Sequence, residues 1–358
     1  MSALLSRAAL FLHIGGTAAL GALLVSGAQA QGAWSDSHAT LNPPTDESTS
    51  IAMVYDRSRS VTVLLASGGI TWEFDGGNWT QAFTGNLPSD CCTAMTYDAA
   101  RGVVISHGGF NSTQPVSTET WEYDGDNWTL VSSGGPATHS SGPASGRAVM
   151  VFDVGIEKPV LFAPSIGTWE YDSGTSSWSL ATLAGPSASG AMAYDQVSGK
   201  SLLFTASTTN SETWEYDGAA QQWTQLNPAV SPHARERTEA VYDAGQGRVV
   251  IHGGTDWSSA PTGPVFGDTW SYDSPNGTWV EDVTTNTPQR VGAVMAYDYA
   301  GASIVSFGGH WQFPNNVIVS TWLYRANLGG NIGTNYCAST LNSTGLASTM
   351  TSSGSPSI

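Results

Sequence analysis

A tryptophan, one spacer, a second aromatic and an aspartate recur along the chain. The copies read Trp72-Glu73-Phe74-Asp75, Trp121-Glu122-Tyr123-Asp124, Trp169-Glu170-Tyr171-Asp172, Trp214-Glu215-Tyr216-Asp217, Trp270-Ser271-Tyr272-Asp273 and Trp322-Leu323-Tyr324-Arg325. Spacing of two puts both rings on one face of an extended strand. The aspartate has a short side chain that can accept bonds from the backbone two residues on, which suits a hairpin bend. A second tryptophan then opens a returning strand at Trp79, Trp128, Trp178, Trp223 and Trp279.

Between these hairpins lies another pattern. An apolar strand ends in aromatic-Asp at Tyr55-Asp56, Tyr97-Asp98, Phe152-Asp153, Tyr194-Asp195, Tyr242-Asp243 and Tyr297-Asp298. A short turn leads to a further apolar strand such as Val103-Val104-Ile105. Four of these strands end in a glycine pair: Gly68-Gly69, Gly108-Gly109, Gly253-Gly254 and Gly308-Gly309. The unit is therefore four strands, a to d, repeating at about fifty residues, the signature of a propeller blade. A lone blade exposes two apolar faces, and stacking blades in a ring buries them.

The glycine pair, the aromatic-Asp and the downstream tryptophan together resemble the kelch repeat, over residues 31 to 328. The form Asp268-Thr269-Trp270-Ser271-Tyr272-Asp273 is similar to secreted bacterial kelch proteins, which are grouped with the central propeller of galactose oxidase. The resemblance implies an all-β, six-bladed propeller with four antiparallel strands per blade. It implies no one activity, because this fold hosts many. The copper site of galactose oxidase finds no match: no Tyr-His dipeptide is present. Nor does the iron-binding Glu-x3-Asp-x3-His pattern of kelch specifier proteins, since Gly247 stands where Glu239 and Asp243 would call for histidine.

Six strand-c tryptophans are followed by only five strand-d tryptophans. The missing one is expected at the front, where Gly32-Ala33-Trp34-Ser35 reads like Asn127-Trp128-Thr129. The N-terminal strand would complete the last blade and close the ring. Twelve of the fourteen tryptophans are then structural: Trp34, Trp72, Trp79, Trp121, Trp128, Trp169, Trp178, Trp214, Trp223, Trp270, Trp279 and Trp322. Trp257 and Trp311 fall outside the pattern.

Residues 1–30 read as a cleavable signal peptide, with Arg7, an apolar run from Ala8 to Val25 and Ala28-Gln29-Ala30 as the cleavage site. Residues 31–328 form the propeller, and 329–358 are a low-complexity Ser/Thr/Gly tail or linker. The expected location is secreted or cell-surface, extracellular or periplasmic, with no membrane attachment after cleavage. Charged residues make up only 11 % of the chain, as suits a β-rich exported protein, and the net charge is −17. The acid is spread through the repeat. It argues against nucleic acid or an anionic membrane as partner. Of three cysteines, Cys91 and Cys92 could pair vicinally, or Cys337 could reach one of them, or the thiols stay free. No spacing suggests a metal site, and no cofactor is expected. His107 and His252 share a blade position, but blades two and five stand opposite each other in a six-blade ring.

In a propeller the d–a and b–c connections share one face. The b–c loop of blade five carries Asp256 and Trp257, and that of blade six carries His310 and Trp311. Aromatics beside polar groups suit a sugar ring; capping of blade edges is the plainer role. Arg147, Arg235, Arg237 and Arg290 gather where strand a begins, on the same rim, and suit a carboxylate or anionic sugar; pairing with nearby acids is again the plainer role. The leading expectation is a monomeric module that binds an extracellular glycan or protein through this face. A carbohydrate-active lyase, epimerase or oxidase, or a scaffold segment of a larger surface protein, are the alternatives.

Overall fold

A computed structural model describes residues 32–44, 51–82, 92–109, 116–138, 148–206, 210–256, 263–311 and 317–326. The expected signal peptide and tail lie outside these residues. So do Cys91, Cys337, Arg147 and Trp257.

The described chain forms six antiparallel sheets. Five follow the chain in order. Blade 1 runs Ala52–Asp56, Val61–Leu65, Thr71–Phe74 and Trp79–Gln81. Blade 2 begins at Ala94–Asp98, blade 3 at Val149–Asp153, blade 4 at Gly190–Asp195 and blade 5 at Glu239–Asp243. Blade 6 takes Val294–Asp298, Ser303–Phe307 and Thr321–Ala326, and its fourth strand is Gly32–Asp36. Trp34 pairs with Tyr324 across that seam, as the tryptophan count requires. A short segment, Thr284–Thr285, adds in parallel to Gly32 and Ala33 and covers the outer edge of the closing strand. Covering an edge in this way blocks pairing with another chain.

The core is not central. It is divided into six radial clusters, each shared by two neighbouring blades. Met53, Leu64, Phe74 and Trp79 of blade 1 meet Val294, Val305 and Phe307 of blade 6. Trp34, Met295 and Tyr324 of blade 6 meet Val250 of blade 5. The methionine two residues before the strand-a aromatic belongs to these walls at Met53, Met95, Met150, Met192 and Met295.

One hydrogen bond is repeated around the ring. The indole N–H of each strand-d tryptophan donates to the threonine that precedes the strand-c tryptophan of the blade before it. Trp128 reaches Thr71 at 2.8 Å, Trp178 reaches Thr120 at 2.9 Å, Trp223 reaches Thr168 at 2.8 Å and Trp279 reaches Thr213 at 2.9 Å. Trp34 reaches Thr269 at 3.0 Å and Trp79 reaches Thr321 at 2.7 Å, so the circuit closes through the N-terminal strand. A buried indole N–H needs such an acceptor.

The two tryptophan sets are not equivalent girders. Trp34, Trp79, Trp128 and Trp279 are almost fully buried, whereas Trp121, Trp169, Trp214, Trp270 and Trp322 are only half-buried. Trp72 and Trp178 are the exceptions, buried and half-buried respectively, and strand-c indoles bond locally, as Trp121 does to Glu119 and Trp270 to Asp268. The turn aspartates behave as expected. Asp75 accepts the Gly77 and Asn78 N–H groups, and the buried strand-a Asp56 accepts those of Ser58 and Arg59.

Candidate functional site

The strands a of all six blades line an axial cavity of about 920 Å³. Its two mouths differ. Strands a begin at the d–a mouth and end, in aromatic-Asp, at the a–b mouth.

At the d–a mouth the glycine pairs set the geometry. Gly253 and Gly254 both hold positive φ, at 67° and 95°. Only glycine adopts two such angles in succession without strain. The turn presses the b–c loop of blade 5 against its neighbours: a Cβ on Gly253 would stand 2.4 Å from the Arg290 carbonyl oxygen. The Gly254 N–H donates to Arg290 O at 2.7 Å, and the Gly292 N–H to Arg237 O at 2.9 Å. Val291 and His310 exchange both backbone bonds at 2.9 Å. The Gly254 and Gly292 bonds stitch blades 5 and 6 together at this mouth, and the Val291–His310 pair ties blade 6 to itself.

The rim arginines divide. Arg235 is buried, with both terminal nitrogens on Asp268 at 2.6 and 2.7 Å, a third bond to Gly253 O and the Phe266 ring 4.4 Å away. Burial alone would raise the Asp268 carboxyl, but the guanidinium overrides it and holds the group below the usual carboxylate range. Arg290 is buried too and donates to Gly308 O, Ser320 O and Ser320 Oγ. Burial without a close carboxylate lowers it to about 10, with Asp36 opposing. These two guanidiniums brace the loops, the plainer of the two roles that their positions offered, and Arg235 also lines the cavity. Position along strand a placed them near the mouth; it could not give the direction of the side chain. Arg237 is exposed and lines the mouth with Glu236.

Among the loop residues, Trp311 is 55 % exposed while its neighbour His310 is buried. Asp256 is half-buried, its N–H on Pro264 O at 3.2 Å. Trp311 therefore stands in the open on a backbone fixed at His310.

His107 and His252 are buried and fully used. Nδ1 of each lies 2.9 and 3.0 Å from Thr120 and Thr269 Oγ1, and Nε2 lies 2.9 Å from Pro136 O and Pro288 O. The Nε2–H must donate to the carbonyl, so Nδ1 accepts from threonine and the ring is neutral. Burial lowers both to about 4. Among the described residues no three His, Cys, Asp or Glu side chains stand close enough to share a metal ion. Cys92 is buried beside the d–a mouth with φ 65°; its two proposed disulfide partners lie outside the described residues.

At the a–b mouth three residues had no part in the sequence reading: Arg57, Gln196 and Tyr299. Each follows a strand-a aspartate. That position is the one sequence signal for them.

No protein-family model and no curated protein sequence matches the chain. Solved structures do. A protein described as YjhT superposes with a TM-score of 0.56 at 14 % identity, covering 80 % of this chain and 96 % of its own. A fungal alcohol oxidase of the AA5 family, in complex with copper, gives 0.53 at 16 % identity, covering 83 % and 76 %. At such identity the likeness shows the fold alone, a six-bladed propeller. Both ring nitrogens of His107 and His252 are committed to hydrogen bonds, so these two histidines do not fit a copper centre.

Proposed function

We propose that this chain is an exported binding module that takes a glycan on its d–a and b–c face, at the b–c loop of blade 6. The single observation that carries this is Trp311. It is a large aromatic exposed to solvent, next to a residue locked by two backbone bonds to Val291 at the start of its own blade. A sugar presents a C–H face that stacks on such a ring, and Arg237 and Glu236 supply polar groups at the adjacent channel mouth. The enzyme reading has less behind it. A catalytic site on this rim would use the arginines and histidines as acids, bases or anion clamps. Arg235, Arg290, His107 and His252 are instead consumed by the scaffold. Export rests on the N-terminal 30 residues and their cleavage site.

The test is a glycan array probed with the wild type and with Trp311→Ala. The expected result is selective binding to a subset of glycans, lost in the variant while its unfolding transition stays in place. Binding that survives the substitution, or no binding at all, overturns the reading.

A further inference from the structure

The opposite end of the channel holds a second arrangement. The residues that follow the six strand-a aspartates are Arg57, Ala99, Val154, Gln196, Ala244 and Tyr299. All but Ala244 line the cavity. Tyr299 belongs to blade 6, yet its hydroxyl accepts a bond from Gln196 Nε2 of blade 4 at 3.3 Å. The ring therefore crosses the mouth in front of blade 5, where the small Ala244 leaves room. It is held on its other sides by Tyr297, edge-on at 4.9 Å, and by Tyr55 at 5.8 Å.

On this fixed ring lies the guanidinium of Arg57, 3.6 Å from its centroid. Arginine stacked on an aromatic keeps its N–H donors at the edge of the plane, where they can meet a carboxylate two at a time. Most other cations in the described blades are already occupied. Arg59 binds Asp56 and Glu73, Arg101 binds Asp98 and Glu122, Lys158 binds Glu170, Lys200 binds Glu215 and Arg248 binds Asp273. Arg57 has no carboxylate partner among the described residues. Next to it, Tyr97 Oη accepts the Ser58 N–H at 3.1 Å, which places a phenol on the same rim. Blades 2 and 3 contribute only Ala99 and Val154 there, so the mouth is open on that side.

We infer that the a–b mouth of the channel is a second binding site, which takes a small hydroxylated carboxylate of the uronic-acid type. The carboxylate meets the edge of Arg57, and the hydroxyls meet the Tyr97 and Tyr299 phenols and the Gln196 amide. A rigid stacked guanidinium loses little freedom when it binds, so the site is built before the ligand arrives. The site lies on the face opposite Trp311 and is independent of it.

Ligand-observed NMR with sodium glucuronate, glucose as the neutral control, reads this directly. Wild-type protein is expected to bind glucuronate saturably in the millimolar range and glucose at least tenfold more weakly. Arg57→Met keeps the stem but removes the donors, and is expected to weaken glucuronate at least tenfold. Tyr299→Ala, which frees the guanidinium, is expected to weaken it less. Trp311→Ala should leave it unchanged. Absence of saturable glucuronate binding, glucose binding as well as glucuronate, an Arg57→Met protein that binds like wild type, or loss in Trp311→Ala each overturns the inference. Arg57 is exposed and outside the blade cores, so its substitution leaves the fold intact, and the unfolding midpoint checks this.

Discussion

The indole nitrogen of Trp34 donates to Thr269 Oγ1 at 3.0 Å across 235 positions of sequence. This bond joins blade 6 to blade 5 through a strand that the chain makes first and uses last. Thr269 also holds His252, whose ring lies 4.3 Å from Trp34. The same triad recurs as Trp178, Thr120 and His107. Two of the six inter-blade bonds thus carry a histidine.

That asymmetry predicts unequal costs around the ring. Thr71→Val, Thr168→Val and Thr213→Val each strand one buried indole N–H, for about 1–3 kcal/mol. Thr120→Val and Thr269→Val strand the indole and also take the donor from a histidine nitrogen. They are expected to cost roughly twice as much in urea unfolding. Equal losses at all five positions would remove the histidines from the relay.

The same histidines set an acid limit. Their folded pKa lies near 4, below the ordinary 6.5, so the unfolded chain binds protons first as pH falls. Their effect on stability is unchanged above about pH 6.5 and turns unfavourable as pH drops from 6.5 towards 4, on the order of 3 kcal/mol for each imidazole. Asp153, Asp243 and Asp282 act with the opposite sign: burial raises them, so they favour the fold at the acid end of the carboxylate range. The melting temperature is expected to fall between pH 6.5 and 5, and His107→Gln with His252→Gln should flatten that slope.

Strand-a aspartates share a place but not a fate. Asp98 Oδ2 accepts Arg101 Nε at 2.8 Å and Ser173 Oγ at 3.3 Å. Asp153 Oδ2 is buried with no hydrogen-bond partner among the described residues, because Gly218 stands where Ser173 stands in the preceding blade. At pH 7 Asp98→Asn is expected to cost about 2 kcal/mol, discounted for the part-exposed arginine. Asp153→Asn is expected to be neutral or stabilising, since it removes an unpaired buried charge. Equal unfolding midpoints for the two variants would contradict this.

Burial also ranks the tryptophans. Trp128 is fully buried and Trp121 half-buried, with its N–H on the half-buried Glu119. Trp128→Ala should cost roughly 3–5 kcal/mol and Trp121→Ala about half as much, by chemical denaturation.

The wheel was legible because its parts repeat. Trp-x-Tyr-Asp, aromatic-Asp and a spare Trp34 specify blades, turns and closure with little help from context. The threonine before each strand-c tryptophan carried no such signal: in a strand, threonine is simply a good β-former. For Arg235 and Arg290 the sequence left two roles open, for a different reason. Sequence places a residue along strand a, but whether its guanidinium turns to the channel or to loop carbonyls depends on neighbours such as Asp268 and Ser320. The a–b mouth stayed hidden because Arg57, Gln196 and Tyr299 meet only when three separate blades converge on the axis.

Every assignment of a residue to one face or the other depends on the ring closing through the front strand. Urea unfolding of Trp34→Ala beside Trp311→Ala tests this most directly. The expected result is a loss of about 3–5 kcal/mol for Trp34→Ala and a change within about 0.5 kcal/mol for the exposed Trp311→Ala. A Trp34→Ala protein as stable as Trp311→Ala would mean that the first strand does not close the wheel.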